Sequence, residues 1–154
     1  MRKHLAVVAL GAIVTAVLAG FALAGTTSVK ARNTNLGKIL VNGQGRTLYL
    51  FAPDKNGKSV CYGSCAKYWP PLITATAHVA ATAPVKASLL GTTKRKDGKL
   101  QVTYNHHPLY LYVGDAKAGD AKGEGLNLSG GLWWVVSPAG AAVKKTAGGG
   151  GGYP

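Results

Sequence analysis

The sequence predicts an all-β domain of mostly antiparallel strands in two related halves, with one short helical turn and an N-terminal signal helix. Three observations carry this. Short runs rich in β-branched and aromatic residues alternate with turns containing Gly, Asn or Asp. One segment occurs twice: Leu48-Tyr49-Leu50-Phe51-Ala52-Pro53-Asp54 matches Leu109-Tyr110-Leu111-Tyr112-Val113-Gly114-Asp115. Each copy is followed by Gly and Lys residues and then a tryptophan, Trp69 in the first and Trp133 or Trp134 in the second.

The elements follow in chain order. Residues 1–24 read as a secretory signal. Arg2, Lys3 and His4 form a basic start, Leu5 to Ala24 carries no charge, and Ala22-Leu23-Ala24 offers a small-x-small cleavage site before Gly25. The same apolar run is long enough to span a bilayer if it is retained. Residues 25–35 are polar and lack periodicity, which predicts a flexible lead-in. Residues 36–145 form the β domain, with repeats at about 36–74 and 88–143. Residues 146–154, with the run Gly148–Gly152, form a flexible tail.

Within the domain, Lys38-Ile39-Leu40-Val41 and Thr47-Leu48-Tyr49-Leu50-Phe51 flank Asn42-Gly43-Gln44-Gly45, which predicts a hairpin. Residues 64–68 can make a helical turn that Pro70-Pro71 stops. Residues 75–87 are rich in Ala and Thr and predict a long connection. Asp97-Gly98 turns the chain from residues 89–94 into Leu100-Gln101-Val102-Thr103-Tyr104, which alternates as a half-buried strand does. A further strand over residues 108–113 follows Asn105-His106-His107. Leu132-Trp133-Trp134-Val135-Val136 and Ala141-Ala142-Val143 flank the turn Ser137-Pro138-Ala139-Gly140. Trp69, Trp133, Trp134, Leu48, Leu50, Leu109 and Leu111 are the expected core.

Charge is one-sided. Arg2 and Lys3 leave with the signal, so 16 of the 18 Lys and Arg remain against five acids, a net charge of +11. That balance predicts attraction to an anionic cell-envelope surface. Nucleic acid is not expected as a partner of an exported protein. No catalytic set emerges, since no Gly-x-Ser-x-Gly, His-Glu-x-x-His or phosphate loop is present. The sequence therefore predicts a non-enzyme with no cofactor.

The motif residues Tyr49, Phe51, Asp54, Tyr110, Tyr112 and Asp115 have two readings. In an extended strand the leucines of each copy share one face and the aromatics the other. The aromatics then pack as core, or they form a platform for a flat ligand. Asp54 and Asp115 occupy equivalent turn positions. There they accept backbone N–H bonds, or they meet and bind a cation.

Cys61-Tyr62-Gly63-Ser64-Cys65 lies in the exported part, where disulfides persist. A disulfide needs Cβ atoms about 3.5–4.5 Å apart, closer than the roughly 5–6 Å of helical i and i+4 positions. A Cys61–Cys65 bridge therefore requires a bent turn, which Gly63 permits. The alternative is an envelope metal or redox protein. Cys61, Cys65 and His106 would then hold copper or zinc, which suit thiolate and imidazole donors.

Taken together, these residues resemble the bacterial secreted-repeat family of unknown function, described as predicted lipoproteins with a Tyr-x-aromatic-x-x-Asp motif. The motif stands twice, as Tyr49…Phe51…Asp54 and Tyr110…Tyr112…Asp115. Gly45-Arg46-Thr47-Leu48, Cys61…Cys65…Trp69-Pro70-Pro71-Leu72 and Gly131-Leu132-Trp133-Trp134-Val135-Val136-Ser137-Pro138 are similar too. The resemblance implies export and two repeats and supplies no activity. The chain has no cysteine near residue 25 to accept a lipid, unlike many relatives. The expected role is an exported, non-catalytic binding or envelope-associated domain, secreted or held at the cell envelope.

Overall fold

The computed structural model describes residues 26–144. The signal and the glycine tail lie outside the described residues. The elements are β1 (Ser28–Thr34), β2 (Gly37–Asn42), β3 (Tyr49–Phe51), α1 (Ser64–Tyr68), β4 (Ile73–Thr74), β5 (Ala80–Ala81), β6 (Leu90–Lys94), β7 (Leu100–Tyr104), β8 (His107–Pro108), β9 (Asn127–Leu128) and β10 (Gly131–Val135), with a 3₁₀ turn at Ala87–Leu89. The chain is all-β and almost wholly antiparallel, as its sequence predicts. The described exception is the parallel pair β1–β5.

Two hairpins, β1–β2 and β6–β7, occupy corresponding places in the two halves. The chain turns after each and enters its copy of the motif. Three backbone bonds then close each half in the same way. Leu40 N–H donates to Val136 O, Leu48 N–H to Leu40 O, and Val136 N–H to Leu48 O, at 2.8, 3.1 and 3.2 Å. Val102, Leu109 and Leu72 repeat the cycle at 2.8, 2.9 and 2.8 Å. Each cycle takes its third member from the other half.

That exchange defines the centre of the molecule. β3 pairs with β10, which closes the second half, with Trp133 opposite Phe51 and Val135 opposite Tyr49. Residues 109–113 pair with residues 68–72, which close the first half: Leu111 N–H donates to Pro70 O and Val113 N–H to Tyr68 O. Pro71, which has no N–H to donate, lies opposite Tyr110. The two motif segments meet at Tyr49 and Tyr110, which exchange both backbone bonds at 2.9 Å. The layer thus runs β10, β3, residues 109–113, residues 68–72, with an approximate two-fold axis between the two tyrosines.

Period-two alternation gives this layer two different faces. Leu48, Leu50, Leu109, Leu72 and Val136 face an aliphatic cluster with Val29, Leu40, Val85 and Val102. Tyr49, Phe51, Tyr110, Trp69, Trp133 and Val135 face the other side with Ile39, Val41 and the two cysteines. Of the expected core, Trp69, Trp133, Leu48, Leu50 and Leu109 are buried. Trp134 and Leu111 are only partly covered and pack against the aliphatic cluster.

Four details correct the sequence reading. Residues 28–34 of the supposed lead-in are a strand, paired with β2 from Val29–Asn42 to Thr34–Gly37, and Val29 is fully buried. Exposed Lys30, Arg32 and Asn33 mask its single fully buried apolar position. The expected hairpin of residues 38–51 reduces to its turn and a single bridge, Val41 to Thr47, because β3 leaves to pair with β10. The connection 75–87 is not featureless, since Ala80–Ala81 joins β1. Finally, β7 is buried at residues 101–104 on both faces; polar Gln101 is covered because its side chain is bonded at both ends.

Candidate functional site

The repeated motif builds a reciprocal clasp. The Tyr49 hydroxyl donates to Asp115 Oδ2 at 2.7 Å, and the Tyr110 hydroxyl is 2.6 Å from Asp54 Oδ2. Each tyrosine therefore reaches the aspartate of the other repeat. The second oxygen of each carboxylate holds its own loop: Val60 N–H donates to Asp54 Oδ1 at 2.8 Å and Lys122 N–H to Asp115 Oδ1 at 2.9 Å. The backbone-accepting role expected of both aspartates holds. Each carboxylate is bonded instead to the tyrosine of the other repeat.

All four side chains are buried, and burial sets their protonation. Burial first, then the facing aspartates, push both phenols well above the ordinary tyrosine range. Burial also raises both carboxyls, opposed by the tyrosine and backbone bonds they accept. The phenols stay neutral donors. The clasp joins the two halves through buried hydrogen bonds.

The aromatic members complete the same exchange. Phe51 stacks on Trp133 at 4.1 Å, Trp133 on Trp69 at 3.9 Å and 2°, and Trp69 on Tyr112 at 4.3 Å. Tyr49 meets Trp69 edge-on at 5.4 Å, and Tyr110 meets Trp133 at 5.1 Å. Both faces of both indoles are thus covered by other rings. Of the motif aromatics, Tyr49, Phe51 and Tyr110 pack as core, and half-buried Tyr112 lies with one face on Trp69. Gly123 is forced by this crowding. A Cβ there would lie 2.8 Å from both Trp69 and Tyr49 ring atoms, and its N–H donates to the Tyr49 hydroxyl at 3.2 Å.

Sequence reasoning missed two arginines that tie the halves again. Buried Arg95 donates from Nη1 to Ser59 Oγ and Gln101 Oε1, at 2.9 and 2.6 Å, and from Nη2 to Cys61 O at 2.8 Å. Ser59 Oγ lies 2.7 Å from the Tyr110 hydroxyl, so Arg95 extends the clasp into the second hairpin. Arg46 Nη2 donates to Asp115 O and to Tyr112 O across the axis. The available signal was position: Arg46 immediately precedes the first motif copy, and Arg95 sits between two exposed lysines with its own side chain inside.

Cys61 and Cys65 form a disulfide with Cα atoms 5.3 Å apart, within the usual range. Gly63 lies between them at φ 58°, supplying the bend that the spacing requires. α1 follows, and Trp69 N–H donates to Cys65 O at 2.8 Å, which sets the indole into the stack. With the sulfurs bonded to each other, the alternative copper or zinc set of Cys61, Cys65 and His106 has no thiolates. His106 stands exposed in a tight turn at φ 65°. Burial first, and His106 beside it, hold His107 below the ordinary imidazole range.

The bridge closes a very short loop, so little unfolded-state entropy is removed, and the loop-length relation gives on the order of 1–2 kcal/mol. Replacing both cysteines with alanine is therefore expected to lower the urea midpoint while the protein still folds. Intact mass before and after reduction and alkylation reads the bridge directly. Two thiols that alkylate without prior reduction, together with stoichiometric metal lost on alkylation, would restore the metal reading.

The family model described as a secreted repeat of unknown function, Lipoprotein_15, matches residues 30–73 and 91–137. The chain belongs to this secreted-repeat family. The two matched stretches are the two halves related by the axis between Tyr49 and Tyr110, and each contains one complete Tyr-x-aromatic-x-x-Asp motif. Membership in the secreted-repeat family supports a location outside the cytoplasm. No curated protein and no solved structure matches the chain.

Proposed function

We propose that this secreted repeat is a non-catalytic domain that associates with anionic surfaces of the cell envelope. The observation that carries the reading is how the charges are divided. All five acids of the chain are used within the fold. Asp54 and Asp115 hold the clasp, Asp97 accepts from Lys99 N–H, Asp120 accepts from Ala116 and Lys117 N–H, and Glu124 accepts from Val135 N–H. Every lysine among the described residues is exposed. Two ion pairs occur among the described residues, Arg95–Asp97 at 3.7 Å and Lys122–Asp120 at 3.8 Å. The field outside the molecule is therefore that of its lysines, which draws polyanions toward it.

Co-sedimentation with anionic vesicles and with purified cell wall tests this. Retention is expected at low salt and should fall as salt rises toward 1 M, where the Debye length shrinks to about 3 Å. Retention that ignores salt, or equal retention on neutral vesicles, would count against the proposal.

A further inference from the structure

We infer that the lysine-rich end formed by the turn Lys55–Lys58 and the tip of the β6–β7 hairpin is the docking site, and that its ligand is a linear, water-solvated polyanion. This inference rests on the anionic-surface reading above and names where and what it binds. The two turns are brought together physically: Lys58 Nζ donates to Thr93 Oγ1 at 3.4 Å, and Lys96 N–H donates to the Tyr62 hydroxyl at 3.2 Å. Lys55, Lys58, Lys94, Lys96 and Lys99 are all exposed here. Asp97, the acid at the hairpin tip, is already engaged by Arg95 and Lys99.

This end is also rigidly mounted. Buried Arg95 ties the hairpin to Ser59 and to Cys61 O, beside the disulfide. Arg95 N–H donates to Lys99 O at 2.9 Å and fixes the tip. The lysines thus project from two turns that do not need to be ordered on binding, which reduces the cost of association.

The repeat supplies its own comparison. The equivalent end of the other half combines the β1–β2 turn with the loop after Asp115. A cleft of about 470 Å³ there is lined by Asn35, Leu36, Asp120, Lys122 and Glu124, so acids and bases are mixed. Two acids, Asp120 and Glu124, lie there among Arg32, Lys38, Lys117 and Lys122, whereas the lysine-rich end sets five lysines against the single acid Asp97.

A solvated polyanion chain fits better than a bilayer. Helices and loops that enter membranes present apolar or aromatic side chains to insert. At this end Val60 is the exposed large apolar residue, and the Tyr62 ring is covered by Arg95 at 4.3 Å and Lys96 at 5.5 Å. Lysine ammoniums are hydrated point charges, suited to a solvated polyanion lying across the turns.

The test compares two variants of equal charge. One carries Lys55→Gln, Lys94→Gln, Lys96→Gln and Lys99→Gln; the other carries Lys30→Gln, Lys38→Gln, Lys86→Gln and Lys117→Gln. Binding to long-chain inorganic polyphosphate is measured against salt, with phosphatidylglycerol vesicles as the second probe and thermal melting as the check on folding. The first variant should bind polyphosphate at least about ten-fold more weakly, with the log–log salt slope reduced by about 2–3 as single-strand contacts are lost. The second should change affinity by less than about three-fold. Equal losses in both variants would overturn the site while leaving the general electrostatic reading intact. Wild-type binding to vesicles but not to polyphosphate would overturn the linear-polyanion assignment. No binding of the wild type to either probe would overturn the anionic-surface reading itself.

Discussion

Trp133→Ala is expected to destabilise the protein by about 3–5 kcal/mol, a large part of the roughly 5–15 kcal/mol that holds a typical domain together. Trp133 is fully buried, stacks on Phe51 and Trp69, and meets Tyr110 edge-on. Its removal leaves a cavity at the point where the two halves meet, and its Nε1 bond to Leu128 O is lost as well. Trp134→Ala is the matched control. That side chain is partly exposed and packs at the margin of the aliphatic cluster. It should cost clearly less. Urea unfolding followed by far-ultraviolet circular dichroism gives both values. If the two substitutions cost the same, the ring stack is not what joins the halves.

Alkaline pH should dissolve the clasp, and the sign can be worked out from its phenols. In the unfolded chain a tyrosine titrates near 10. Burial, reinforced by the aspartates, raises Tyr49 and Tyr110 well above that in the fold. Their contribution is therefore fully present below pH 10. As pH rises beyond 10 the unfolded state ionises while the folded state stays neutral, so stability falls by about 1.4 kcal/mol per pH unit for each tyrosine. Together they should add about 2.7 kcal/mol per pH unit to the loss. Tyr49→Phe and Tyr110→Phe should each cost about 1.5–3 kcal/mol at pH 7, the range for a hydrogen bond to a charged group. Each should remove half of this alkaline slope, and the double variant should lack it. Urea midpoints collected between pH 8 and 11 measure it. A double variant with the wild-type slope would show that the two phenols are not the titrating groups.

The reciprocity of the clasp has a consequence for how the repeat works as a unit. Each half takes its closing strand, its aspartate partner for tyrosine and one arginine from the other. A single half would expose the aromatic face of its motif strand and leave a buried tyrosine and aspartate unpaired, each a costly loss. Two copies are thus the minimum that satisfies the motif. The presence of the motif in both halves of this chain is accounted for by this reciprocal packing.

Local residue patterns determined much of this by themselves. Residue spacing placed α1 at residues 64–68, the β6–β7 hairpin about Asp97-Gly98 and the final turn at residues 137–140. It also placed leucines and aromatics on opposite faces, because strand alternation is a property of the backbone. Compartment and spacing favoured pairing Cys61 with Cys65 over a metal site, and the structure forms that bridge. What only the tertiary structure decided is which half satisfies which. Tyr49 stands five residues before Asp54 in the sequence, yet it bonds Asp115 across the axis. Likewise β3 leaves its neighbour β2 for β10, and Trp69 stacks on Tyr112 rather than on Phe51. Identical motif copies carry no information about which copy is the partner. The choice is made by the twofold packing, which brings the two tyrosine strands together and leaves each aspartate within reach of only the opposite hydroxyl.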